Sequence, residues 1–125
     1  MSSTRILCVE DDQDSCEMLK AFLGGAGYEV KTASTPGDSI TIIKADSFDL
    51  IILDNWYPEG AGTELCRMIR AFDETTPIIF YSGLGQESDI TEALDAGAQA
   101  YVIKPYVDDL LVEVKRLTEG ATIPS

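Results

Sequence analysis

The sequence predicts an α/β fold in which five parallel strands form one sheet covered by helices on both faces. Three observations carry that expectation. Short apolar runs such as Leu50-Ile51-Ile52-Leu53 and Ile78-Ile79-Phe80-Tyr81 are continuous rather than alternating, which suits strands buried on both sides. Segments with apolar residues at helical spacing follow them. The strand-then-helix unit recurs five times, punctuated by polar, glycine- or proline-containing stretches, with no repeat and no internal linker.

Taken in order, Thr4 to Val9 reads as the first strand and runs into Glu10-Asp11-Asp12. From about Asp14 to Ala26 the residues Cys16, Leu19, Phe22, Leu23 and Ala26 recur at helical spacing, and Gly24, Gly25 and Gly27 mark the end. Tyr28 to Ala33 alternates, as a strand with one partly wet side does. Pro36 and Gly37 open a helix carrying Ile40, Ile43 and Ala45 that stops near Ser47. Leu50 to Leu53 is the third strand, and Pro58, Gly60 and Gly62 mark a loop after it. Glu64 to Phe72 is predicted as a helix with Leu65, Met68, Ile69 and Phe72 facing inward. Pro77 to Tyr81 is the fourth strand, Glu87 to Ala96 a short acidic helix closed by Gly97, and Ala100 to Ile103 the fifth strand. Val107 to Thr118 is the last helix, with Leu110, Leu111, Val114 and Leu117 toward the core. Right-handed crossovers between five such units give a flavodoxin-like doubly wound sheet of order 2-1-3-4-5 with five helices. Residues 1–119 are expected to form one domain, with 120–125 a flexible tail or the start of a linker.

The 125 residues carry 9 basic and 22 acidic side chains, a net charge of −13, and the basic residues are scattered. No footprint for nucleic acid is visible in such a distribution. No apolar run reaches transmembrane length, and Met1-Ser2-Ser3-Thr4-Arg5 lacks the apolar stretch of a signal peptide, so a cytoplasmic location is expected. The chain has no histidine. That removes Ser-His-Asp and Cys-His catalysis, histidine zinc sites and a phosphohistidine donor role. Cys8, Cys16 and Cys66 form no CxxC pair and are expected to be small buried hydrophobes.

The remaining chemistry collects at the strand ends. The first strand ends in Glu10-Asp11, the third in Asp54, the fourth in Ser82 and the fifth in Lys104. In a parallel sheet these ends point one way, so carboxylates, a hydroxyl and an ammonium converge on one crevice. Each has a plainer alternative: Asp11 or Asp12 could cap the first helix, Ser82 the fourth, and Lys104 could be a surface charge. Clustered carboxylates repel, and a hard divalent cation such as Mg²⁺ resolves that repulsion with oxygen ligands. Asp54 beside such an ion would be equipped as a nucleophile for phosphoryl transfer, with Lys104 and Ser82 meeting the phosphoryl oxygens.

Val9-Glu10-Asp11, Leu53-Asp54, Pro58 and Gly62, Ser82-Gly83 and Lys104-Pro105 together resemble the receiver domain of two-component response regulators, over about Thr4 to Thr118. The resemblance implies that Asp54 is the phosphoacceptor, served by a histidine kinase or a histidine phosphotransfer protein. It implies Mg²⁺ held by Glu10, Asp11, Asp54 and the backbone carbonyl of Trp56, with Lys104 contacting the phosphoryl group and a cis Lys104-Pro105 bond. Ser82 takes the switch hydroxyl position and Tyr101 the switch aromatic. Phosphorylation would alter the face made by the fourth helix, fifth strand and fifth helix, toward an output domain, a target protein or a second copy of the chain. Such a domain catalyses only its own phosphorylation and dephosphorylation. Glu10 stands where Asp is more frequent, a longer reach that lets its metal contact run through water.

Trp56 and Leu84, each two residues past a site residue and apolar, are expected to shield the acyl phosphate and slow its hydrolysis. Two other readings compete. A phosphorylation-independent interaction module would keep the fold without the chemistry. A Mg²⁺-dependent aspartyl-phosphate phosphatase would carry a second Asp two residues after the first, where this chain has Trp56.

Overall fold

β-Branched and leucine-rich runs pair much as their composition dictates in a computed structural model that describes residues 4–119. The elements are β1 (Arg5–Val9), α1 (Gln13–Gly25), β2 (Glu29–Ala33), α2 (Pro36–Ala45), β3 (Leu50–Leu53), β4 (Trp56–Tyr57), β5 (Gly60–Ala61), α3 (Gly62–Arg70), β6 (Ile78–Ser82), α4 (Glu87–Asp95), β7 (Ala100–Ile103) and α5 (Val107–Thr118). The main sheet is all parallel with order β2-β1-β3-β6-β7. This is the expected 2-1-3-4-5 winding. The residues expected to form a tail or linker, 120–125, lie outside the described residues.

The period-two alternation of each strand divides the core. Leu7, Val9, Ile51, Leu53, Ile78 and Phe80 face α2, α3 and α4, whereas Ile6, Cys8, Leu50, Ile52, Ile79 and Tyr81 face α1 and α5. Burying each of the valine, leucine, isoleucine and phenylalanine side chains among these contributes about 1.5–3 kcal/mol. All three cysteines are free thiols buried in this packing, as expected.

Two expectations are corrected. The segment after Asp54 is not an open loop: Trp56 and Tyr57 pair antiparallel with Ala61 and Gly60 in a two-strand hairpin. Helix α3 starts at Gly62, and its inner stripe is Gly62, Leu65, Cys66 and Ile69. Met68 lies roughly a third of a turn from the centre of that stripe and is 55% exposed. Phe72, past the helix end, is also exposed, with the Lys44 ammonium 5.1 Å from its ring centroid.

The register sets the height of each strand end. Val9, Leu53, Phe80 and Tyr101 lie in one row across the sheet. β1 and β3 stop at that row, while β6 and β7 run on until Ser82 pairs with Ile103. The carboxyl edge is therefore a step, with its low side at β1 and β3.

At the opposite edge Arg5 ties three elements together. Its guanidinium donates to Glu29 (3.0 Å), to both Asp46 oxygens (2.8 and 2.9 Å) and to the Ser47 carbonyl (2.7 Å), and lies over the Phe48 ring. The Arg5 hydrogen bonds hold the Asp46 carboxyl at about 2, below the usual carboxylate range. A depressed folded-state pKa stabilises the fold above the unfolded value, about 3.9, and that contribution is lost as pH falls through the folded one. Wild-type stability should therefore fall between about pH 4 and pH 2 more steeply than that of Asp46→Asn, measured by urea unfolding. Equal slopes would remove the assignment.

Candidate functional site

The two carboxylates at the low side of the step follow directly on paired residues. Val9 lies opposite Leu53, so Glu10 and Asp54 leave neighbouring strands at one height. The Lys104 ammonium joins them, donating to Glu10 Oε1 at 2.9 Å and to Asp54 Oδ2 at 3.0 Å. Glu10 is only 4% exposed, and its second oxygen accepts from the Asp12 amide. Asp54 Oδ1 accepts from the Asn55 amide at 2.6 Å, while 16% of the Asp54 side chain stays open to solvent.

These environments move the charges. Burial pushes the Glu10 carboxyl up, only partly opposed by its hydrogen bond to Lys104. Burial lowers the Lys104 pKa, but the hydrogen bonds to Glu10 and Asp54 outweigh it and the net shift is upward. The ammonium is thus locked in its charged form between two acids.

Asp11 is exposed, and it can bring a carboxylate oxygen within 4.8 Å of oxygens from Glu10 and Asp54. Three hard oxygen donors at this spacing, one of them solvent-facing, suit a hard divalent cation that keeps several waters. Asp12 instead caps α1, accepting from the Ser15 amide at 2.9 Å. The plainer alternatives for the other residues are not realised. Helix α4 is capped by Gln86 rather than Ser82, and Lys104 is paired inside the crevice rather than free on the surface.

Lys104 enters from the end of β7, its amide donating to the Ser82 carbonyl, and the Lys104-Pro105 bond is cis as expected. Ser82 and Tyr101 lie on the high side of the step. The Ser82 hydroxyl, 1% exposed, accepts from the Leu84 amide at 3.3 Å and bonds to none of the carboxylates among the described residues. Tyr101 stacks on Phe80, donates its hydroxyl proton to the Leu84 carbonyl at 2.6 Å and accepts from Asn55 Nδ2 at 3.2 Å. Trp56 and Leu84 are both exposed, at 59% and 38%, in the segments that follow Asp54 and Ser82.

Two residues that sequence reasoning did not single out, Asn55 and Tyr57, shape the site together with Gly62, which the sequence marked only as part of the loop. Asn55 is buried and reaches the Tyr101 hydroxyl. Tyr57 is 5% exposed; its hydroxyl accepts from the Asp54 amide at 2.7 Å and donates to the Val9 carbonyl at 2.8 Å. Burial pushes the Tyr57 phenol well above its ordinary value, so it stays a donor. Gly62 donates its amide to the Asn55 carbonyl at 2.6 Å, and a Cβ there would run into the Asp54 carbonyl oxygen. A glycine after a proline-containing loop was a visible signal for a close approach, but nothing in the sequence pointed to the Tyr57 hydroxyl.

Comparison with known proteins agrees with this fold. Residues 6–116 match the response regulator receiver domain family. The chain is 32% identical over 120 residues to the transcriptional regulatory protein DltR of Streptococcus agalactiae, covering 95% of this chain and 54% of that one. It thus spans about half the length of the curated relatives it matches. A two-component response regulator from Clostridium difficile superposes with a TM-score of 0.90 at 30% identity, covering 96% of this chain and 99% of that one. The response regulator TrrA from Thermotoga maritima, solved in complex with Mg²⁺-BeF, gives a TM-score of 0.84 at 30% identity, covering 91% and 98%.

Gly62→Ala should lower stability by about 1–3 kcal/mol, the usual cost of forcing a methyl group into occupied space, read as a drop in the thermal midpoint. An unchanged midpoint would show that the hairpin yields freely beside Asp54.

Proposed function

The chain belongs to the response regulator receiver domain family, and from that premise we propose that Asp54 accepts a phosphoryl group from a phosphohistidine donor and that the resulting charge resets the face made by α4, β7 and α5. The observation that carries the reading is the Glu10–Lys104–Asp54 bridge with Asp11 beside it, at the solvent-open end of the parallel sheet. An Asp54 carboxylate oxygen attacks phosphorus; a P–O bond forms as the donor's P–N bond breaks, and its electron pair leaves on the imidazole nitrogen. Lys104, already charged, can turn from a carboxylate to a phosphoryl oxygen as a point charge. Ser82 can donate its hydroxyl proton to another.

Glu10, Asp11 and Asp54, with the Trp56 backbone carbonyl, would hold Mg²⁺, which when bound supplies charge neutralisation for the phosphoryl oxygens. The three-carboxylate donor set supports that choice, as does the Mg²⁺-BeF complex of TrrA. Phosphorylation replaces the single negative charge of the Asp54 carboxylate with a phosphoryl group that carries roughly −1.5 to −2 and three acceptor oxygens, drawing Ser82 inward and releasing its bond to the Leu84 amide. The partners are a histidine kinase or a histidine phosphotransfer protein upstream. Downstream they are an output domain, a target protein or a second phosphorylated copy, with no nucleic acid held by this segment. Residues 1–119 are taken as the receiver unit. No helix among the described residues is long and apolar enough to cross a membrane, and the reading places the domain with its kinase in the cytoplasm.

Incubation with Mg²⁺ and acetyl phosphate should add one phosphoryl mass to the wild type, and beryllofluoride should change the fluorescence of Trp56, the sole tryptophan. Both responses should vanish in Asp54→Asn; a response that survives in that variant would falsify the acceptor assignment. Trp56 and Leu84 are exposed apolar groups in the segments after Asp54 and Ser82; if they cover the acyl phosphate, the phosphorylated double variant Trp56→Ala, Leu84→Asn should lose phosphate several-fold faster in Mg²⁺. Matching decay curves would end the shielding idea.

A further inference from the structure

We propose that the Tyr57 hydroxyl is the positioning group of the carboxylate site, setting the spacing of Glu10 and Asp54 by holding the Val9 carbonyl and the Asp54 amide through one oxygen. The proposal rests on the phosphoacceptor reading and deepens it. The two bonds are short, 2.7 Å from the Asp54 amide and 2.8 Å to the Val9 carbonyl, and the oxygen uses its one proton on the carbonyl. The ring packs in the core with Val9, Leu53 and Leu65, so the site of that oxygen is set by packing rather than by solvent.

The location matters more than the bonds themselves. With Val9 opposite Leu53, the next rung of a parallel ladder would run from the Asp54 amide to the Val9 carbonyl. The phenol oxygen holds both groups at that place, so β1 and β3 stay linked while their backbones stand further apart than one direct N–H···O bond, about 2.9 Å, would allow. One of the bridged groups belongs to Asp54 itself and the other to the residue before Glu10. Their separation is therefore fixed at the point where the two carboxylates leave the sheet.

Removing the hydroxyl leaves two outcomes. The strands close to a direct rung, or a buried amide and carbonyl lose their partner. Either shifts Asp54 against Glu10, and reacting groups tolerate little displacement: a misplacement of about 1 Å can cost about a hundredfold in rate. Tyr57→Phe retains the ring and its packing, so it isolates the oxygen.

The test compares wild type and Tyr57→Phe in three readouts: Mg²⁺ affinity by Trp56 fluorescence, phosphorylation rate from acetyl phosphate at saturating Mg²⁺, and thermal midpoint. The expected result is Mg²⁺ affinity weaker by about five- to tenfold, the scale of one lost hydrogen bond, and phosphorylation slower by at least about tenfold, with an unchanged far-ultraviolet spectrum. A lower midpoint with wild-type affinity and rate would mean the hydroxyl only stabilises the fold, and the proposal fails. If the wild type itself takes no phosphate, the phosphoacceptor reading fails instead, and the Mg²⁺ arm still judges Tyr57. Should Tyr57→Phe not fold, hydrogen exchange on the wild type decides: a protected Asp54 amide is expected, and exchange as fast as at Gly83 and Gly85 overturns the bridge.

Discussion

The bridge from the Lys104 ammonium to Glu10 and Asp54 is the constraint on which the rest of the site depends. Glu10 is nearly inaccessible to water, and a buried carboxylate that lacks a counter-charge takes up a proton instead. With Asp54 on the neighbouring strand and Asp11 nearby, repulsion would compound the loss of solvation. One cation at hydrogen-bond distance from both acids offsets these costs and keeps Asp54 in a fixed orientation with part of its side chain open. The arrangement remains net negative, which leaves it receptive to a divalent cation. It also makes Lys104 the group that must change partners if a new anion arrives on Asp54.

Register explains how such a bridge can form between residues so far apart in the chain. Because β6 and β7 continue past the row where β1 and β3 stop, Lys104 starts above the carboxylates and reaches down to them. Alternation then sorts the residues into two groups. Counting from the row of Val9, Leu53, Phe80 and Tyr101, the residues Glu10, Asp54 and Lys104 share one parity, while Asn55, Ser82 and Tyr101 share the other. The first set is joined by the salt bridges, and the second by the hydrogen bonds around Leu84. Charge and relay thus occupy opposite faces of the same sheet edge, separated only by the pleat.

Strand ends are also what made most of the site legible in advance. Glu10, Asp11, Asp54, Ser82 and Lys104 each follow or close an apolar run, so their convergence depended only on a parallel sheet, which the strand–helix alternation already indicated. What escaped depended on side-chain reach. Tyr57 looked like one more residue of a proline-containing loop, because nothing local shows that the chain doubles back as a hairpin and drives the phenol into the core beneath Asp54. Asn55 was hidden for the same reason: its role is defined by Tyr101, far along the chain. Met68 and Phe72 were placed inside because both are apolar near a helical stripe. Hydrophobicity alone does not separate a residue on the flank of a helix from one at its centre, and exposed apolar side chains are ordinary.

The Tyr101 hydroxyl limits how the two faces can communicate. Its proton is committed to the Leu84 carbonyl and its lone pair to the Asn55 amide group, so the ring is tied at once to the residue after Asp54 and to the residue two after Ser82. The Leu84 amide in turn donates to the Ser82 hydroxyl. If a phosphoryl group on Asp54 recruited Ser82, that hydroxyl would have to rotate its proton toward the new anion. The Leu84 segment would be free to move with it or away from it, and the Tyr101 ring could not keep both present bonds unless Leu84 and Asn55 moved together. A ring swinging freely therefore omits two hydrogen bonds that must break or travel. On the phosphoacceptor reading, Asn55 and Leu84 set the energetic threshold of the switch, because they hold its moving part while Ser82 senses the charge.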